Sequence, residues 1–292
     1  MMHFKLEMRM LIKSRSTQVA FLLIILLYIF AFYSTYNTAC SIEQDIKKVI
    51  AQIHNQVQQS DSVIDTSQSK TYLNEVLIGL HPKMGPNYTL LILALIGPLL
   101  SAIIGASIIG VEFSNHTAKN RAAHFGWTKN ILAKLLVLIL CGIGFALLSV
   151  LIGIIFSKFT WGLISRDSYF STIMHAPVII SSDLIKMFVV IIGFTIYGFL
   201  GALVGLLAKN TLAGALTAIF LPYLEKYLSI WWLPQSLYAN LIARSFNYFQ
   251  GSIILIPQMQ NNISLIKSWI ILSIWCISLL VSALIISRLQ SN

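Results

Sequence analysis

Acidic side chains are scarce in this sequence. Asp and Glu together number 10 in 292 residues, and charged residues of both signs make up only 10%. Soluble domains carry about a quarter charged residues, so a globule surrounded by water is excluded. Cysteine is nearly absent: Cys40, Cys141 and Cys276 form no spaced framework, and an odd count argues against a disulfide or zinc scaffold. The six histidines, His3, His54, His81, His116, His124 and His175, are scattered, with no zinc pair at helical spacing inside an apolar run. No glycine-rich loop ends in Lys and Ser or Thr; Gly105 and Gly110 lead only to Val111 and Glu112, so no nucleotide site is expected. The middles of the apolar runs hold no carboxylate pair, which speaks against an ion-coupled secondary transporter. No Ser falls beside a His at one membrane depth, and no enzyme is expected.

What remains is apolar. Hydrophobic residues make up 57% of the chain and the mean hydropathy is +0.80, the composition of an integral membrane protein. Six runs are expected to cross: Val19 to Tyr33, Tyr88 to Val111, Ile131 to Phe156, Met187 to Leu207, a fifth from just after Ala208-Lys209-Asn210 to about Pro222, and Ser268 to Ile286. The predicted fold is therefore all-α and polytopic, with six transmembrane helices. The formal charge of +10 does not point to nucleic acid, because the cations lie beside apolar runs and orient them. Lys5, Arg9, Lys13, Arg15, Lys119, Arg121, Lys129, Lys134, Lys209 and Arg288 fall on one side against only Glu7 and Glu112. That side is expected to be cytoplasmic, and both termini with it. Lys134, near the end of its run, is expected to extend to the headgroups.

Between the runs lie four segments of different character. Residues 1–18 place Phe4, Met8, Leu11 and Ile12 at helical spacing opposite Lys5, Arg9 and Lys13, an amphipathic helix for the membrane surface. Residues 34–87 are polar and are expected outside, with an amphipathic helix over Ser41 to Gln59 and an end at the helix-breaking Pro82, Gly85 and Pro86. Residues 112–130 are short, basic and free of proline, and Ala118 to Trp127 read as a short cytoplasmic helix. Residues 225–267 are semi-polar and rich in Tyr, Trp and Phe, which suggests outer interfacial and re-entrant segments before the last run. Small residues also recur on expected spans, Gly97, Ser101 and Gly105 on one and Gly193, Gly201 and Gly205 on another, as faces for close helix packing.

Six spans, the basic amphipathic N-terminus, the short helix between spans two and three and the membrane-dipping region before the last span together resemble the permease subunits of bacterial type-2 ABC exporters. The local likeness lies in Glu112 at the end of span two, Asn115 to Thr117 after it, Gly126-Trp127-Thr128-Lys129 and Lys134 opening span three. Where that family has Gly before the Thr, this chain has His116. A weaker likeness is to permeases of lantibiotic or bacitracin export and immunity systems. The resemblance implies a coupling helix docked on a separate ATPase, with Glu112, Thr117, Lys119, Arg121, His124, Phe125, Trp127 and Lys129 as docking residues. It implies that ATP and Mg bind the partner ATPase and no cofactor binds this chain, that a second permease copy or paralogue completes the pathway, and that an amphipathic substrate (antimicrobial peptide, drug or lipid-like molecule) leaves the bacterial cell membrane or cytoplasm. The competing expectation is a stand-alone immunity protein that captures a peptide with its outer loop and needs no ATP.

Overall fold

The computed structural model describes residues 2–56, 67–115, 126–166, 178–228, 232–248 and 263–289, with Thr117, His124 and Phe170. Among these residues the structure is helical throughout: α1 (Met2–Lys13), α2 (Arg15–Gln56), α3 (Ser67–Leu80), α4 (Gly85–Ser114), α5 (Trp127–Ile164), α6 (Asp183–Ala208), α7 (Thr211–Leu228), α8 (Pro234–Ser245) and α9 (Leu265–Leu289). Five of them, α2, α4, α5, α6 and α9, are long and apolar enough to cross a membrane, consistent with a membrane protein. The expected fifth span is α7, which has 18 residues, ends in the polar Glu225-Lys226 stretch and is not among the five. Of the region expected to re-enter the outer leaflet, α8 is described, whereas 229–231 and 249–262 lie outside the described residues.

Helix α2 departs most from the sequence-based division. A span ending near Tyr33 and a separate amphipathic helix from Ser41 are in fact one helix of 42 residues. At ~1.5 Å per residue it is about 63 Å long, twice the ~30 Å of a hydrocarbon core. Ser34 to Cys40 contains neither Pro nor Gly to stop it. Thr35 and Thr38 instead donate to the Ala31 and Ser34 carbonyls one turn back, each at 2.9 Å, so their hydroxyls need no water. Helix α3 packs along α2. Its Leu73, Val76, Leu77 and Leu80, spaced to share one face, are fully buried.

The centre of the molecule is the pair α4 and α6, which bury more of their spanning segments than the other crossing helices do. Small residues set their approach. A Cβ on Gly105 would overlap the Gly198 carbonyl, one on Gly201 would overlap that of Ala102, and one on Gly205 would crowd Ala106. Such close backbones gain dispersion contacts that lipid cannot replace. Ser101 is buried in the same seam and bonds back to Pro98 O at 2.8 Å. Gly97 faces the Leu93 and Phe194 side chains, and Gly193 serves a different helix.

That helix is α8, and the reason lies in Pro98. Proline within α4 has no N–H to give the Ala94 carbonyl, which is left without its helical partner. The Tyr238 hydroxyl of α8 donates to Ala94 O at 3.0 Å. Its ring occupies the space a side chain at 193 would need, so Gly193 admits the tyrosine that repairs α4. The turn from α6 to α7 is two residues long. Lys209 adopts the left-handed conformation (φ 52°), and the Asn210 carboxamide caps α7 by accepting from Leu212 N at 2.8 Å.

Candidate functional site

Helix α4 ends in a buried polar corner. Glu112 lies in its last turn, and Asn130 and Lys134, one turn apart at the start of α5, face it together. Lys134 Nζ is 2.6 Å from Glu112 Oε2 and also donates to Ile108 O at 2.9 Å; Asn130 Nδ2 donates to Glu112 Oε2 at 3.2 Å. Lys134 is 1% exposed and Glu112 7%. The expectation that Lys134 extends to headgroups is thus corrected: its ammonium turns inward, because a carboxylate and a carbonyl there replace the water it would seek. Burying two charges is tolerable only with such hydrogen bonding around the pair.

The chain leaves and returns at this one corner. Thr117 N donates to Glu112 O at 2.9 Å, and Phe113 stacks on Trp127 with ring centroids 6.1 Å apart. Gly126 starts α5 from a positive φ of 77° that disfavours any side chain. Of the expected docking residues, Glu112 is buried against Lys134, Trp127 stacks on Phe113, and Thr117, His124 and Lys129 are exposed. Trp127 and Lys129 belong to α5 and not to a separate short helix. Lys119, Arg121, Phe125 and most of the helix expected over Ala118 to Trp127 lie outside the described residues.

Beside the corner, between α1 and α4, is a half-open cavity of about 470 Å³. Glu7, Leu11 and Arg15 line it from one side and Ser107, Val111 and Glu112 from the other. A Ser16 to Ser107 hydroxyl contact of 2.9 Å ties the root of α2 to α4 beside it.

The opposite end of α4 is held without charge. Asn87 Nδ2 donates to Asn247 O at 2.9 Å, while Asn247 N donates to Asn87 Oδ1 at 3.0 Å. The Asn247 carboxamide then reaches the segment before α6, donating to Val178 O at 2.6 Å and accepting from Ile180 N at 3.2 Å. Close by in the chain, His81 meets the edge of Trp161 at 4.9 Å, and burial, then Lys83, holds its pKa below the ordinary value of 6.5. Sequence reading missed Asn87, Asn130, Tyr238 and Asn247. Only Asn130 left a trace, four residues before Lys134.

Among the described residues no group of three or more His, Cys, Asp or Glu is placed to hold a metal ion. No protein-family model, curated protein or solved structure matches the chain.

Proposed function

We propose that the chain is the membrane-spanning permease subunit of an ATP-binding cassette exporter, driven by a separate ATPase and working beside a second permease copy or paralogue. The observation that supports this best is the Glu112 corner. A basic segment between two membrane-length helices is rooted at a buried ion pair and an aromatic stack. Such a corner passes a push on the segment into α4 and α5 as one unit. The small-residue seam then lets α4 and α6 slide and repack with little side-chain rearrangement. On this reading the Glu112 end is cytoplasmic, as the charge distribution favours, and α7 completes a sixth, short crossing. The substrate is an amphipathic molecule, since the membrane-length helices are apolar and nearly free of charge.

The test is co-purification of the full chain with its cognate ATPase in detergent. An ATPase retained by the intact chain and lost on deletion of 118–125 is expected; one retained by both defeats the proposal. A stand-alone immunity protein is the second reading, favoured by the long α2 with α3 folded against it. It requires that the chain protect cells in a strain lacking any ATPase partner.

A further inference from the structure

The cavity between α1 and the Glu112 end of α4 has graded walls that the docking reading does not use. Leu11, Ile108 and Val137 line its apolar part. Towards the mouth, Met10 and Val111 are 37% and 46% exposed, so the apolar lining continues onto α1, where Leu6 and Ile12 are exposed too. Charge is sorted in the opposite sense. Glu7 and Glu112 are buried in the wall, with Glu112 held by Lys134, whereas Arg15 lines the cavity and is exposed. Arg15 is the first residue of α2; Arg9 and Lys13 are exposed on α1 and do not line the cavity. Arg15 is thus the cation at the rim, and the wall behind it is apolar apart from Glu7 and the Lys134-paired Glu112.

These features select the occupant. The volume falls within the roughly 300–1,000 Å³ of sites that hold small organic ligands. One residue, Ser14, joins α1 to the foot of the membrane-length α2, so the mouth opens at the level of the headgroups. A molecule with a hydrocarbon chain and an anionic head is abundant there, and basic residues beside a membrane favour it. We infer that the cavity is a binding site for an anionic phospholipid, one acyl chain between α1 and α4 and the phosphate on Arg15. Asn115 and Thr117, which also line it, root the segment beyond α4, so an occupying lipid stiffens that root. The inference needs a membrane but no ATPase, and it can fail or stand independently of the transport reading.

The experiment uses the full chain purified in detergent, titrated with phosphatidylglycerol or with phosphatidylcholine of the same acyl chains, and weighed with bound lipid by native mass spectrometry. One phosphatidylglycerol per chain is expected, retained about tenfold better than phosphatidylcholine, with Arg15→Gln lowering that retention to the phosphatidylcholine level. Val111→Trp, which fills the mouth from α4, abolishes retention of both lipids. Met10→Trp fills it from α1 and decides the matter should Val111→Trp fail to yield a monodisperse helical protein. Equal retention of the two lipids, a preference for phosphatidylcholine, or undiminished binding in a folded cavity-filling variant overturns the inference.

Discussion

The two ends of α4 are fastened by different chemistry. At one end Glu112 meets Lys134 in a buried ion pair; at the other Asn87 and Asn247 exchange two neutral hydrogen bonds. A buried ion pair is intolerant of losing one partner, because the survivor is left charged and dry. A carboxamide pair loses only hydrogen bonds. The same helix is thus anchored where breaking is costly and latched where breaking is cheap, so motion within the bundle is expected to begin at the Asn87 end.

Lys134→Met is the harshest way to break this contrast. Removing the ammonium from beside the buried Glu112 carboxylate is expected to destabilise the protein by about 3–5 kcal/mol in denaturant-titrated unfolding in detergent, and adding Glu112→Gln is expected to recover most of it. Gly105→Leu, in the seam between the ends, comes next. Its obstacle is the Gly198 backbone, so it belongs at the upper end of the about 1–3 kcal/mol typical of overpacking. Asn87→Ala strands Asn247 N–H and is expected to cost about 1–3 kcal/mol. It should also raise amide exchange around 178–182 without altering the Glu112 end. If exchange rises equally at both ends, the contrast is wrong. Tyr238→Phe sharpens it from the middle. An interhelical hydrogen bond in a bilayer contributes about 0.6 kcal/mol, at most about 1.7, and in a Pro98→Ala background the loss should vanish because Ala94 O regains a helical donor.

The smallest effect is a pH dependence near α3. Burial, then Lys83, lowers the His81 pKa from its ordinary 6.5 in the folded chain. As pH falls through 6.5 the unfolded chain takes up a proton that the folded chain resists, so stability declines there and is unaffected above. His81→Asn should flatten that decline, read as thermal unfolding at pH 5.5 against pH 7.5.

Most of the long helices were legible because each needs an unbroken apolar run, and α4 from Gly85 to Ser114 extends the expected Tyr88 to Val111 by only three residues at each end. The continuity of α2 was not. Composition turns polar at Ser34, but a helix is stopped by backbone chemistry, and no Pro or Gly stands there. Glu112 at the end of its run can be read as pairing with a nearby cation or as a plain charge that orients the span; that its partner is Lys134 depends on the angle at which two helices cross. Asn87 and Asn247 are 160 residues apart, and nothing local distinguishes them from solvent-facing amides. Likewise Gly193 obeys the spacing of a packing stripe, yet its role follows from Pro98 on one helix and Tyr238 on another.

An uninterrupted α2 also has a mechanical consequence. Its foot is tied by Ser16 to Ser107 of α4, and further along Thr35 meets the Tyr88 hydroxyl of the same helix, with α3 packed against it. Pivoted at Thr35, the Ser16 and Gln56 ends stand on arms of about 30 Å each, and a tilt of about 10° moves either end by about 5 Å. A rearrangement beside Glu112 would then reappear at the other end of α2 as a swing of similar size.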